Sequence, residues 1–337
     1  MAENEIFGWL DDGEAVERIV LTGGGLTAKV LTWGAVIQDL RLEGHEPPLV
    51  LGFERFADYP AHSPYFGATP GRCANRIAGG RFAIDGEAFA LECNERGVNH
   101  LHGGSDGLGR RNWRIRAQGP DHVVLAVTDP AGRAGYPGAC EATCTYRLGG
   151  DGVLSVVYEA TADAPTPVNL CQHSYFILDG GADALDHEIR IAAEHYLPVD
   201  GNLIPTGEIR PVAGTPFDLR APVPLRRQVE PGGVAFDHNF CLSAERVEKR
   251  GIAHVHSPAS GVTLTVLTGE PGVQLYTGGQ LDMAVPGLEG RRYGAFAGFC
   301  LETQVWPDAV NHPAFPDAIL RPGAVRRQET DYVFRKG

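Results

Sequence analysis

From Asn99 to Gly104 the chain reads NHLHGG, and from Thr166 to Phe176 it reads TPVNLCQHSYF. His100, His102 and His173 thus stand among apolar residues and glycines, where a group that titrates near neutrality can move protons, hold a metal or bind a polar ligand. On a strand, residues i and i+2 share a face, so His100 and His102 are expected side by side. Gly103 and Gly104 can take positive φ and let a ligand approach the backbone. Two carboxylates have similar settings: Asp237 follows Phe236 in AFDHNFCL, and Glu302 ends the buried-strand pattern of GFCLE. Buried carboxylates need partners. Asn75 and Arg76 of GRCANRI supply donors for ligand oxygens or for such an acid. Each residue also has a plainer reading: a strand exit, a core histidine, a turn aspartate, an Arg–carboxylate pair. Together they suit a sugar, whose hydroxyls take bidentate polar partners and whose ring faces take aromatics. Tyr175, Phe176, Tyr276 and Trp306 lie in or near these stretches.

Competing chemistries lack their signatures. There is no G-x-G-x-x-G after a strand, no Walker A segment and no H-E-x-x-H. His100 and His102 with a third ligand would imitate a cupin-like metal site. Cys140 and Cys144 are four apart, but no second pair gives zinc-ribbon spacing.

The elements that must position these residues read as strands. Forty-four glycines and 24 prolines, spread along 337 residues, suit short strands and tight turns. GRFAIDGEAFALEC reads as a hairpin, with Phe82, Ile84, Phe89 and Leu91 inward and Asp85-Gly86 as a type I′ turn. Period-2 alternation recurs over 122–129, 152–160, 187–196 and 261–269. Turn signals fall at 130–138, at LGGDG (148–152) and at EPGG (230–233). No amphipathic helical run exceeds two or three turns, no linker stands out and no repeat recurs. One large all-β domain over residues 1–337 is expected, a sandwich of antiparallel sheets.

A net charge of −13 argues against nucleic acid and anionic membrane surfaces. Seven scattered cysteines make no disulfide framework. The N-terminus lacks a signal-peptide pattern, and no apolar run reaches membrane-span length. A reducing cytoplasm is the expected location.

The stretches GRCANRI, NHLHGG, GYPG, TPVNLCQHSYF, YLPVDGNLIPTGE, GTPFDLR, FDHNF, PGVQLYTG and LETQVWPDAVNHPAFP resemble the aldose 1-epimerase (galactose mutarotase) family, in that family's order, from about Gly71 to Arg321. The resemblance implies a β-supersandwich and cofactor-free interconversion of the α and β anomers of free aldohexoses such as galactose and glucose. No metal is expected and a monosaccharide is the expected partner; a long β-rich surface allows a monomer or a homodimer paired by its edges. By motif, His173 looks like the general acid and Glu302 the general base. Asn75, Arg76, His102, Asp237 and Gln274 look like substrate-binding residues, and His100 is left as either a structural residue or one that supports the site from behind. Cys73, Cys171-Gln172 and Ile177 differ from the residues usual at those places.

The chemistry agrees with the resemblance. Opening a hemiacetal needs the anomeric hydroxyl deprotonated while the ring oxygen gains a proton, work for a carboxylate and an imidazolium on opposite sides of the sugar. A carboxylate near His173, Asp237 or Glu302, would favour its proton. Other readings are a hexose 6-phosphate epimerase, for which Arg110 and Arg111 are the nearby cations, a glycoside hydrolase using Asp237 and Glu302, and a sugar-binding module without catalysis.

Overall fold

Alternation over 122–129 becomes the strand His122–Asp129. In the computed structural model, which describes residues 3–229 and 233–337, this strand belongs to a nine-stranded antiparallel sheet. Its order is Val223–Pro224, Glu188–Ile191, Arg250–His256, Val262–Thr268, Arg326–Lys336, Val153–Ala162, Cys140–Gly149, His122–Asp129 and Arg114–Gln118. A four-stranded sheet runs in sequence order from Glu3–Trp9 through Ala15–Gly23 and Leu26–Leu31 to Ile37–Leu42. A five-stranded sheet is ordered Arg210–Pro211, His195–Tyr196, Asp237–Cys241, Gly272–Tyr276, Cys300–Gln304. One apolar cluster, from Val16 to Phe334, draws on all three sheets, so the fold is the expected all-β sandwich.

The hairpin forms as read. Arg81–Ile84 pairs with Glu87–Ala90, and Phe82 stacks on Phe89 at 5.3 Å. Asp85 and Gly86 both have positive φ, 52° and 86°, the type I′ requirement. The run 187–196 is not one strand. Glu188–Ile191 joins the nine-stranded sheet and His195–Tyr196 the five-stranded one. Between them Ala193 N–H closes a tight turn onto Ile191 O at 3.0 Å, which side-chain alternation does not register. Three of the four residues of the EPGG turn, 230–232, lie outside the described residues. The helices Asp58–His62 and Leu225–Val229 have five residues each. Among the described residues no helix is long and apolar enough to cross a membrane. All seven cysteines are free.

Candidate active site

Sheet register builds one wall of the site. Asp237, Tyr276 and Cys300 form one cross-strand row of the five-stranded sheet, and Asn239, Gln274 and Glu302 form another. Residues two apart along a strand share a face, so both rows point to the same side. His238 points away, edge-on to Phe217 at 4.7 Å. The strand Cys300–Gln304 is buried on both faces, which is why GFCLE carries no polar alternation.

Loops build the other wall. Arg76–Ile77 pairs antiparallel with His100–Leu101. One step further, His102 N–H donates to Asn75 O at 3.0 Å and Asn75 N–H donates to His102 Nδ1 at 3.1 Å. Both residues are left-handed, φ 61° at Asn75 and 54° at His102, as is Tyr65 at 69°. Such geometry costs roughly 1–3 kcal/mol at a non-glycine residue. The turn at His102 separates the two imidazoles, so the expected shared face is lost. His100 stays inside, donating from Nδ1 to Glu92 O and accepting the Tyr136 hydroxyl at Nε2, each at 2.7 Å. The close approach at Gly103 is made by the protein itself: a Cβ there would lie 1.7 Å from Gly71 O. His173 is pinned by its backbone, its N–H on Ala68 O at 3.0 Å and its O on Gly67 N–H at 3.1 Å.

The walls meet at His173 and Glu302. His173 Nε2 lies 3.7 Å from Glu302 Oε2, and both side chains are buried. The two groups are therefore adjacent, not on opposite sides of a ligand. This arrangement can still serve both oxygens of a hemiacetal, because the anomeric and ring oxygens share C1. Glu302 is the carboxylate beside His173. Asp237 instead accepts Gln274 Nε2 at 2.7 Å and faces Arg76 Nη1 at 3.4 Å. Between the walls is a cavity of about 220 Å³ whose lining includes Tyr65, Asn75, Arg76, His102, His173, Tyr175, Asp237, Tyr276 and Glu302.

Charge is distributed unevenly. Burial raises the Glu302 carboxyl above the ordinary carboxylate range, against the pull of His173. Burial also pushes His102 well below the usual imidazole range, reinforced by the charges of His173 and Arg76. His102 is thus neutral. Its Nδ1 accepts the hydrogen bond of the Asn75 N–H, so Nε2 carries the ring proton and is the donor for the cavity. His102, His173 and Glu302 bring potential ligand atoms within 4.8 Å of one another. The Asn75 N–H on Nδ1, however, leaves the neutral His102 no Nε2 lone pair for a cation.

Five of the seven residues carried over by motif line the cavity with their side chains in mutual reach of this chemistry: Arg76, His102, His173, Asp237 and Glu302. Asn75 also lines it, with its Oδ1 accepting its neighbour's N–H (Arg76) at 3.0 Å. Gln274 lies behind Asp237 and does not line the cavity. Of the candidate aromatics, Tyr175 and Tyr276 line it, while Phe176 packs on Phe299 and Tyr332, and Trp306 on Phe315. Sequence reasoning missed Tyr65, whose ring lies 4.5 Å from His102 and 5.9 Å from His173. It also missed Glu95, which holds Arg76 through Nε and Nη2, both at 2.9 Å. HSPYFG and ECNERG carry no pattern that marks either one. Arg111 is taken by Asp129 at 2.9 Å and Arg110 lies over the Tyr65 ring at 5.4 Å. The cation lining the cavity besides Arg76 is Arg96. Ile177 is in the core, away from the cavity, and Gln172 donates to the Tyr146 hydroxyl at 2.8 Å.

A β-supersandwich with a buried His–Glu pair lining a polar and aromatic cavity defines a class, and comparison with known proteins specifies it. Residues 17–333 match the family model described as aldose 1-epimerase. The chain is 46% identical over 338 residues to the galactose mutarotase of Rattus norvegicus, covering 98% of this chain and 97% of that protein. It is 36% identical over 347 residues to the aldose 1-epimerase of Escherichia coli, covering 98% and 99%. The crystal structure of an aldose epimerase homologue from C. elegans superposes with a TM-score of 0.89 at 30% identity, covering 96% of this chain and 99% of that one. The chain belongs to the aldose 1-epimerase family. It is an isomerase that interconverts the α and β anomers of an aldose.

Proposed function

We propose that the protein acts on free aldohexoses, galactose and glucose among them, and that Glu302 and His173 move the protons. The observation that carries this reading is their contact at 3.7 Å beside a cavity with room for one pyranose. Glu302 takes the proton of the anomeric hydroxyl while His173 Nε2–H protonates the ring oxygen. The C1–O5 bond breaks and C1 becomes an aldehyde. Rotation about C1–C2 presents its other face. The ring hydroxyl then attacks C1, returning its proton to His173, and Glu302 protonates the new anomeric oxygen. His102 Nε2–H donates to the sugar near the ring oxygen. Asn75, Arg76 and Asp237 bind hydroxyls, and Gln274 serves through Asp237.

The whole chain acts as one domain, as monomer or homodimer. Its free cysteines suit a reducing compartment such as the cytoplasm. Galactose as substrate is supported by the names of the mammalian relatives, and an unphosphorylated sugar by the engagement of Arg111 with Asp129. Polarimetry on freshly dissolved α-galactose, α-glucose, glucose 6-phosphate and methyl α-galactoside tests the reading. Accelerated mutarotation of the two free sugars, with methyl galactoside untouched, is expected. Preference for the phosphosugar, acting through Arg96, would overturn the substrate class, and release of methanol would point to a hydrolase.

A further inference from the structure

Cys171 and Cys300 are buried thiols against the proton-moving pair. Cys171 Sγ lies 3.4 Å from Glu302 Oε2, and Cys300 Sγ lies 3.6 Å from His173 Nδ1. Oε2 is also the Glu302 oxygen that faces His173. Oε1 makes no hydrogen bond among the described residues and is left open to the cavity. We propose that Cys171 is a positioning residue: its S–H holds Oε2 of Glu302 so that Oε1 is the oxygen presented to the anomeric hydroxyl. The inference rests on the reading of Glu302 as proton acceptor.

A thiol can act so only while it keeps its proton. Burial raises the Cys171 thiol well above its ordinary value, and the Glu302 charge adds to this. Sγ therefore remains a donor throughout the working range, though a weaker one than a hydroxyl. Other groups also bear on Glu302. His173 and Arg76 attract its charge and Asp237 opposes it. Cys300, Tyr175, Tyr276 and Tyr332 face the same space, and burial raises all four above their ordinary values. They stay neutral while Glu302 titrates, so a change at position 171 is read against a constant background.

The test is the acid limb of kcat/KM against pH for wild type, Cys171→Ala and Cys171→Ser, which reports groups of the free enzyme. Removing the donor destabilises the carboxylate, so Cys171→Ala shifts the limb up, by about half to one pH unit. A hydroxyl binds the carboxylate better, so Cys171→Ser shifts it down. Packing damage alone has no reason to move the two variants in opposite directions. If Cys171→Ala does not fold, Cys171→Ser decides: a limb at or above that of wild type overturns the proposal. In the infrared, the Cys171 S–H stretch, assigned by its loss in Cys171→Ser, moves to higher frequency in Glu302→Gln; an unmoved band also overturns the proposal. A Glu302→Gln enzyme that still turns over would defeat the base assignment itself, while an inactive one with unshifted Cys171 variants would defeat only this inference.

Discussion

The sheet wall and the loop wall hold their functional groups by different means. On the sheet, Asp237, Gln274 and Glu302 are placed by register across three neighbouring strands. The three strands are held to one another by antiparallel pairing, and the side chains project from ordinary extended residues. On the loop wall, Tyr65, Asn75 and His102 occupy left-handed backbone, and a buried N–H closes on an imidazole. There a side chain is also part of what holds the chain in shape. Function should thus be separable from stability on the sheet wall and bound to it on the loop wall.

The largest expected effect is on the sheet. Glu302→Gln keeps the shape and removes the base, and should lower kcat by about 10²–10⁴. Its stability moves the other way. The folded carboxyl titrates above its unfolded value, so its contribution to stability is full at low pH and lost as pH rises through the raised value. At neutral pH the variant should melt at or above the wild-type temperature, and the gap should close as pH falls through that range. The same raised value predicts that wild-type kcat/KM falls on acidification at a higher pH than an exposed carboxylate would give. A calorimetric series from pH 4 to 8 beside a pH–rate profile checks both.

His102→Ala tests the loop wall. It leaves the buried Asn75 N–H without an acceptor, which costs about 1–3 kcal/mol, and activity should fall with stability. His102→Asn tolerates positive φ and offers an acceptor oxygen. It should recover most of the melting temperature and little of the rate. Equal stability of His102→Ala and wild type would erase the contrast between the walls.

Smaller effects are expected where the walls are tied together. Glu95→Gln weakens the bidentate hold on Arg76 and should raise KM roughly tenfold, more than it lowers kcat. Gln274→Met removes the donor to Asp237 and should raise KM about fivefold. It should hardly change stability, because Gln274 Oε1 is already buried without a partner. Steady-state kinetics on galactose separates these effects.

The sheet wall was also the more legible in the sequence. An unbroken apolar run marks Cys300–Gln304, and the charged residue ending GFCLE stands out, whereas Gly272–Tyr276 enters only through the family resemblance of PGVQLYTG. Register is not written in one strand, so Gln274 reads as a ligand although it stands behind Asp237. The loop wall depends on where the chain turns. Nothing in NHLHGG says that φ becomes positive at His102 rather than at Gly103, and this decides that His102 and not His100 reaches the cavity. Tyr65 and Glu95 arrive from segments whose placement is purely tertiary. The adjacency of His173 and Glu302 likewise follows from the meeting of a loop with a strand, which no local pattern encodes.

One proton carrier from each wall, His173 and Glu302, completes the proposed reaction. Exchange NMR between the anomers of equilibrated galactose, in weakly catalytic buffer, tests it with wild type, His173→Asn and Glu302→Gln at matched folded concentration. Rapid exchange is expected for wild type, and a loss of about 10² or more for each variant. Near-wild-type exchange in either one would contradict it.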